Sequence, residues 1–182
     1  MQRYLFVIIT SMTFWIFSWL FSKRIGEQFG FGLNRTASQS PGIYIYFPIN
    51  SPLKTGDLVD CDLDFSQYSL KWIKQRCYLE KNRKLLKNIG AIPGDWLFTI
   101  YSDIYVCKSS HFTKNCIILG SCMREDKNGF PLSCQVWHGK EIPNDYFYLK
   151  SNRVLNSFDS RYFGLVHIKN IHHRLKIIMD FS

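Results

Sequence analysis

The chain has 182 residues, of which 46% are hydrophobic and 16% aromatic, and its formal net charge is +9. This length suits one domain with a hydrophobic core, and the composition excludes a largely disordered chain. No zinc-finger, basic-zipper or RNP-type pattern is present and the basic residues are scattered, so we expect no nucleic-acid partner; a surface near an anionic membrane explains the charge better.

An uncharged apolar run begins the chain. Residues 4–22 (YLFVIITSMTFWIFSWLFS) are flanked by basic residues on both sides. As a helix rising about 1.5 Å per residue, this run would reach roughly 28 Å, close to the thickness of a bilayer's hydrocarbon core. No small-x-small site follows it, which argues against a cleaved signal peptide. We therefore predict a short cytoplasmic end at 1–3, a transmembrane anchor at 4–22 and a juxtamembrane connector at 23–33.

The charges and the cysteines give opposite indications of orientation. Three basic residues follow the anchor and one precedes it, so the positive-inside rule would keep the rest of the chain in the cytoplasm. Four of the six cysteines lie within 107–134 and none forms a CxxC pair, which favours disulfides in an oxidising compartment over a zinc site. We expect no metal or cofactor. The cysteine count allows fifteen complete pairings, and composition leaves the orientation open.

Residues 34–182 are predicted to form a mainly β domain. Short runs rich in β-branched and aromatic residues alternate with turn residues, which favours an antiparallel architecture. A hairpin turn is predicted at 127–130 (KNGF), and a helix between Ser66 and Leu79. The predicted strands are GIYIYF, GDLVDCDL, DWLFTI, DIYVC, CQVWH, DYFYLK and FGLVHI.

Two serines, Ser38 and Ser40, lie in the segment NRTASQSPGIY. Serines beside Pro and Gly are typical of a turn, and one of them becomes a candidate nucleophile only if a base can take its proton. No histidine lies in an elbow such as GxSxG, so all five are better explained as surface or packing residues. They are His111, His138, His167, His172 and His173.

A lysine is the alternative base. Lys87 lies in the apolar run RKLLKNIGAIPGDW and, in a strand, shares a face with Leu85 and Ile89. Burial disfavours the ammonium form and lowers a lysine pKa, by up to about 3–5 units when burial is complete. A neutral amine can then take the proton of a serine. On this run alone, an edge-strand lysine that points into solvent is the competing interpretation.

Three blocks in chain order resemble the signature boxes of the type I signal peptidases, the leader-peptide proteases that use a Ser/Lys dyad. They are TASQSPGIY, LLKNIGAIPGD and SNRVLNSFDSRYFGLV, and GDLVDCDL matches the short strand between the first two. The context of the first box looks most like the conjugal-transfer (TraF-type) branch. The resemblance implies a signal-peptidase-like antiparallel β domain with one or two short helices, preceded by one N-terminal transmembrane helix.

The resemblance also assigns roles in catalysis. Ser38 matches the nucleophile and Lys87 the general base, whereas Ser40 falls on a variable position. The hydroxyl of Thr36 and the backbone N–H of Ser38 match the oxyanion hole.

The third box supplies the supporting residues. Ser157 matches the hydroxyl that orients the lysine amine, and Asp159 and Arg161 match a pair that shapes the box. The sequence departs from the family pattern at Asn88, where Arg often follows the lysine, and at Gln39, where Met commonly follows the serine.

The implied activity is a membrane-anchored serine endopeptidase that cleaves leader or pro segments of exported precursors, pilin or other conjugative-transfer components. The implied partners are the precursor polypeptide and the lipid bilayer. The catalytic domain would face the periplasm from the inner membrane. Two alternatives stay open: a general housekeeping signal peptidase, and a catalytically inactive, membrane-tethered β domain of an assembly. Whether the protein also joins pilin ends into a circle is open as well.

Overall fold

The computed structural model describes residues 30–63, 84–126 and 128–182, together with Thr13. Within these residues the regular secondary structure is mainly β, with one short helix, α1 (Ser160–Phe163), a 3-10 turn at Ile168–Asn170, and Thr13 in helical conformation. The strands are β1 (Gly30–Asn34), β2 (Gly42–Pro48), β3 (Leu58–Cys61), β4 (Leu85–Ala91), β5 (Trp96–Ile100), β6 (Asp103–Cys107), β7 (Ile117–Ser121), β8 (His138–Glu141), β9 (Tyr146–Lys150), β10 (Val166–His167) and β11 (Ile171–Asp180).

The described strands form two antiparallel sheets. The larger sheet has the order β1-β2-β11-β3-β4-β9-β10, and the smaller has the order β7-β6-β5-β8. Strands β4 and β5 are consecutive in the chain but belong to different sheets, joined by the turn at 92–95. This turn contains Gly94 at a φ of 84°, in the left-handed region where a side chain would be strained.

Each sheet has its own hydrophobic core. The core of the larger sheet includes Val59, Ile89 and Leu149, all at most 1% exposed. The core of the smaller sheet includes Ala91 and Leu97, both fully buried. Strand β4 supplies Ile89 to the first core and Ala91 to the second, so it is buried along its second half. A side chain on this strand that shares the face of Ile89 is therefore withdrawn from solvent.

Most predicted strands are confirmed. GIYIYF, DWLFTI and DIYVC correspond to β2, β5 and β6, while β3 occupies the central part of GDLVDCDL and β9 covers DYFYLK except for its first residue. The mainly antiparallel β architecture predicted from these runs is also confirmed. Strands β1 and β7 were not predicted, and β1 begins inside the range assigned to the connector.

Two strand predictions need correction. The run CQVWH does not form a strand before His138, because its backbone hydrogen bonds go to separate partners: Gln135 N–H donates to the carbonyl of Arg161, and Trp137 N–H to the hydroxyl of Thr99. The run FGLVHI keeps only two strand residues. It is interrupted because Phe163 ends α1 and Ile168 begins the 3-10 turn.

The predicted hairpin turn is present in its described part. Glu125 and Pro131 form an antiparallel bridge, and Gly129 donates its N–H to the carbonyl of Asp126 with a φ of 79°. The predicted helix at 66–79 and the predicted anchor at 4–22 lie outside the described residues, apart from Thr13. In the part of the chain that is described, no helix is both long and apolar enough to cross a bilayer.

Candidate active site

Lys87 is buried in the middle of the larger sheet. It lies on β4 directly opposite Val59 of β3, and only 2% of its surface is exposed. Its side chain shares a face with Ile89, as the sequence pattern predicts, so Lys87 does not point into solvent. Burial lowers the pKa of the Lys87 amine, because the ammonium form loses its hydration, and the charge of Asp159 only partly opposes this effect.

The Lys87 amine is oriented by one hydroxyl. Its Nζ donates to the Oγ of Ser157 over 2.7 Å, and Ser157 is itself buried. The thiol of Cys61 also lies near the amine, but burial raises the pKa of Cys61 to about 12. The thiol therefore stays uncharged at neutral pH and is no counter-ion for a lysine ammonium.

Ser157 is held in place by the buried pair of Asp159 and Arg161. Asp159 caps α1 by accepting the backbone N–H of Arg161, and its two oxygens receive the Nε and Nη2 of that arginine, each over 2.8 Å. The guanidinium also donates to the backbone carbonyls of Ser157 (2.9 Å), Leu155 (2.7 Å) and Ser121 (2.7 Å). This network fixes the backbone that carries the Ser157 hydroxyl.

Ser38 lies in the turn between β1 and β2, and Asn34 organises that turn. The two hydrogens of the Asn34 Nδ2 are shared among the backbone carbonyls of Thr36 (3.2 Å), Gln39 (3.1 Å) and Ser40 (3.1 Å), so at least one of these bonds is bifurcated. Its Oδ1 accepts the backbone N–H of Thr36 over 3.1 Å. Three carbonyl partners fix which end of the amide is the donor. Asn34 is 6% exposed, and its bond to the carbonyl of Gln39 is buried, while the other three are partly buried.

The Ser38 hydroxyl donates to Thr36 in this structure. Thr36 gives its own hydroxyl hydrogen to the Oδ1 of Asn34 over 2.7 Å, and its oxygen lies 3.2 Å from the Oγ of Ser38. Because Thr36 has only one hydroxyl hydrogen, Ser38 must be the donor in the second bond. A role for Thr36 as an oxyanion donor therefore requires its hydroxyl to turn away from Asn34.

The turn that carries Ser38 docks on the segment after β9. Ser151 donates its hydroxyl to the carbonyl of Ser38 over 2.6 Å, and Arg153 donates to the carbonyl of Gln39 over 3.1 Å. The backbone N–H of Ser151 points to Asp159 over 3.4 Å. In antiparallel register, Lys150 at the end of β9 pairs with Asn88, so the chain leaves the sheet beside Lys87. The turn with Ser38 is thus bound where β9 ends and the chain leaves the larger sheet, next to β4.

A comparison with known families decides the identity of the chain. Residues 4–179 match the family described as signal peptidase, peptidase S26. The chain belongs to this family. Membership makes it a leader-peptide-cleaving serine peptidase that acts on precursor polypeptides. A crystal structure of a signal peptidase I from Enterococcus faecalis V583 is similar at 14% identity and a TM-score of 0.36, covering 69% of this chain and 98% of that one. No curated protein matches the chain.

In this signal peptidase, the predicted site residues fall into two groups. Lys87 and Ser157 are hydrogen-bonded to each other, with Asp159 and Arg161 behind them, while Ser38 and Thr36 are hydrogen-bonded in the turn. Among the described residues, no hydrogen bond joins the Ser38 hydroxyl to the Lys87 amine or to any histidine. Two histidines instead pair with carboxylates on another part of the large sheet, His172 with Asp62 and His173 with Asp60.

Sequence reasoning did not assign a role to Asn34 or to Ser151. The position of Asn34 two residues before Thr36 is a signal that could have found it, because Asn side chains often bond the backbone of the turn that follows. Ser151 has no such signal, since its partner is the carbonyl of a residue 113 positions away in the chain.

Proposed function

We propose that this signal peptidase uses Ser38 as the nucleophile and Lys87 as the general base. The observation that carries the proposal is the burial of Lys87, with a lowered pKa, against Ser157 and next to the end of β9, after which the Ser38 turn docks. A neutral lysine amine has one lone pair and two hydrogens. One hydrogen is used on Ser157, which leaves the lone pair for a serine hydroxyl.

The reaction begins when the Ser38 hydroxyl turns from Thr36 to Lys87. Catalytic hydrogen bonds often shorten only once substrate binds. As the serine oxygen attacks the scissile carbonyl, its proton passes to the Lys87 amine. The tetrahedral oxyanion is held by the N–H of Ser38 and the hydroxyl of Thr36, and such a donor is worth about 2.7–4 kcal/mol in the transition state.

The acyl-enzyme then forms and breaks down through the same amine. The leaving amine of the precursor takes the proton from Lys87, and the acyl group stays on the Ser38 oxygen. Lys87, neutral again, takes a proton from an attacking water. The second tetrahedral intermediate collapses to a free carboxyl group, and the proton returns to Ser38.

The proposed substrates are pilin or other conjugative-transfer precursors, bound as an extended strand and cut after a small side chain. Main-chain hydrogen bonds to a strand give such a peptide affinity, and pockets read alternate side chains. The resemblance of the NRTASQSPGIY segment to the conjugal-transfer branch supports this substrate class.

The proposed location is the inner membrane, with residues 4–22 as the anchor and the catalytic domain in the periplasm. Two disulfides of the described residues, Cys107–Cys116 and Cys122–Cys134, support this side of the membrane, because disulfides persist in oxidising compartments.

The dyad is tested by cleavage of a leader-bearing precursor by the full chain in detergent. Ser38→Ala and Lys87→Met should abolish cleavage while the protein stays folded by circular dichroism. Ser40→Ala and Lys84→Met are the matched controls and should cleave like the wild type. Undiminished cleavage by Lys87→Met would overturn the dyad. A chain whose Ser38 is never acylated by a penem inhibitor would instead be the inactive assembly component.

The substrate class is tested separately. Co-expression with candidate pilin precursors, followed by mass mapping of the cut, should show a single cleavage after a small residue. Equal cleavage of unrelated leader peptides would identify a housekeeping enzyme instead.

A further inference from the structure

The residue that follows Ser38 is hydrogen-bonded to the residue that follows Lys87. The Nε2 of Gln39 donates to the Oδ1 of Asn88 over 2.7 Å. Gln39 is 8% exposed, although glutamine is mostly an exposed residue type. The bond thus joins the turn of one proposed catalytic residue to the strand of the other, across 49 positions of sequence.

Asn88 is a rigid acceptor. It lies on β4 between Leu58 of β3 and Lys150 of β9, with paired strands on both sides. Its Nδ2 donates to the carbonyl of Gly56 over 3.2 Å, which leaves Oδ1 as the end that faces Gln39. The amide orientation of Asn88 is therefore set by the backbone, and Gln39 must present its NH2 group.

Gln39 is held from two further directions. The backbone carbonyl oxygen of Gln39 accepts hydrogen bonds from the Nδ2 of Asn34 and from the Nη1 of Arg153, both over 3.1 Å. The first partner belongs to β1 and the second follows β9, whereas the side chain reaches β4. Of these three bonds, only the one to Asn88 connects the turn directly to β4, the strand that carries Lys87.

We propose that Gln39 and Asn88 are a positioning pair that sets the distance between the Ser38 hydroxyl and the Lys87 amine. This inference rests on the proposed dyad. Neither side chain touches the reacting atoms. They act because the other bonds to the turn come from β1, from Tyr44 of β2 and from the segment after β9, which leaves the position of the turn relative to β4 open to a shift. A misplacement of about 1 Å can cost roughly 100-fold in rate.

The test exploits the lengths of the two side chains. Gln39→Asn is one methylene too short to reach Asn88, and the added change Asn88→Gln returns that methylene from the other side. In the full-length enzyme, Gln39→Asn should lower kcat about 10-fold to 100-fold and leave KM within about threefold. The double variant Gln39→Asn/Asn88→Gln should recover kcat to within about threefold of the wild type.

A control separates positioning from lost stability. Thr99→Val removes one hydrogen bond, from Trp137 N–H to the Thr99 hydroxyl, in the smaller sheet. It should lower Tm as much as Gln39→Asn does, with kcat unchanged. The inference is overturned if Gln39→Asn keeps the wild-type kcat, or if the double variant stays as slow as the single one. Failure of the dyad itself looks different, because Ser38→Ala and Lys87→Met would then retain cleavage.

Discussion

The two halves of the proposed site are held by different kinds of structure. Lys87 is fixed by a central strand, a hydrophobic core and the buried pair of Asp159 and Arg161. Ser38 lies in a half-buried turn that is held by single hydrogen bonds from side chains, chiefly those of Asn34 and Ser151. Changes to the residues that support Lys87 should therefore act mainly on stability, and changes to the residues that hold the Ser38 turn should act mainly on rate.

The largest effect is expected on the lysine side. Asp159→Ala removes one partner of a fully buried ion pair and should lower the free energy of unfolding by about 3–5 kcal/mol, because the Arg161 charge stays buried without its partner. The matched control is Asp62→Asn, which breaks the exposed pair with His172 and should cost under about 1 kcal/mol. Urea unfolding measures both. Equal losses would contradict the proposed role of burial.

The next largest effect concerns the disulfide Cys122–Cys134, whose neighbours hold Arg161. Ser121 accepts from the guanidinium, and Gln135 N–H donates to the Arg161 carbonyl. Replacing both cysteines by serine should lower the free energy of unfolding by about 2–4 kcal/mol and weaken these two hydrogen bonds to Arg161. Cleavage should fall more than in the matched variant without Cys107–Cys116, whose cysteines do not adjoin Ser121 or Gln135 in the sequence. Equal cleavage by the two variants would show that the hydrogen bonds of Ser121 and Gln135 to Arg161 do not depend on the disulfide.

On the serine side, Asn34→Asp should lower the rate more than the stability. The aspartate keeps the acceptor for Thr36 but loses the donor that binds three carbonyls of the turn. We expect a loss of about 1–3 kcal/mol in unfolding free energy and a fall in kcat of about 100-fold, as a displaced nucleophile would give. Parallel measurement of kcat and Tm tests the comparison. If Asn34→Asp lowers Tm as much as Asp159→Ala does and keeps a normal kcat, the comparison between the two halves of the site is contradicted.

The sequence predicts the lysine side better than the serine side for a physical reason. The burial of Lys87 follows from its strand and from its apolar neighbours Leu85 and Ile89, which are local features. The contacts of the Ser38 turn with Ser151, Arg153 and Asn88 join residues 49 to 114 positions apart, and no local pattern encodes them.

The same limit applied to strand boundaries and cysteine pairs. The strand expected at CQVWH failed because the backbone of Gln135 is bonded to the distant carbonyl of Arg161. The cysteine pairs Cys107–Cys116 and Cys122–Cys134 could not be chosen from fifteen complete pairings by spacing alone.

The smallest effect is a dependence of stability on pH. Because the pKa of Lys87 is lower in the folded chain than in the unfolded chain, the unfolded chain binds one more proton between those two values, and stability rises with pH in that window. Below this pH window, the full loss of stability that results from burying the Lys87 amine is present. Lys87→Met should therefore be more stable than the wild type at neutral pH, and its advantage should shrink as pH approaches about 10.4. A constant advantage in urea unfolding at every pH would show that the amine is not desolvated.

The central claim is that Lys87 works as an uncharged base for Ser38. The most direct measurement is the pH dependence of the single-turnover acylation of Ser38 by a leader peptide. The rate should rise with pH as one group loses its proton, with a midpoint below the ordinary lysine value of about 10.4. Lys87→Met should abolish this limb together with the reaction. Acylation that proceeds without Lys87, or a limb at the ordinary lysine pKa, would contradict the claim.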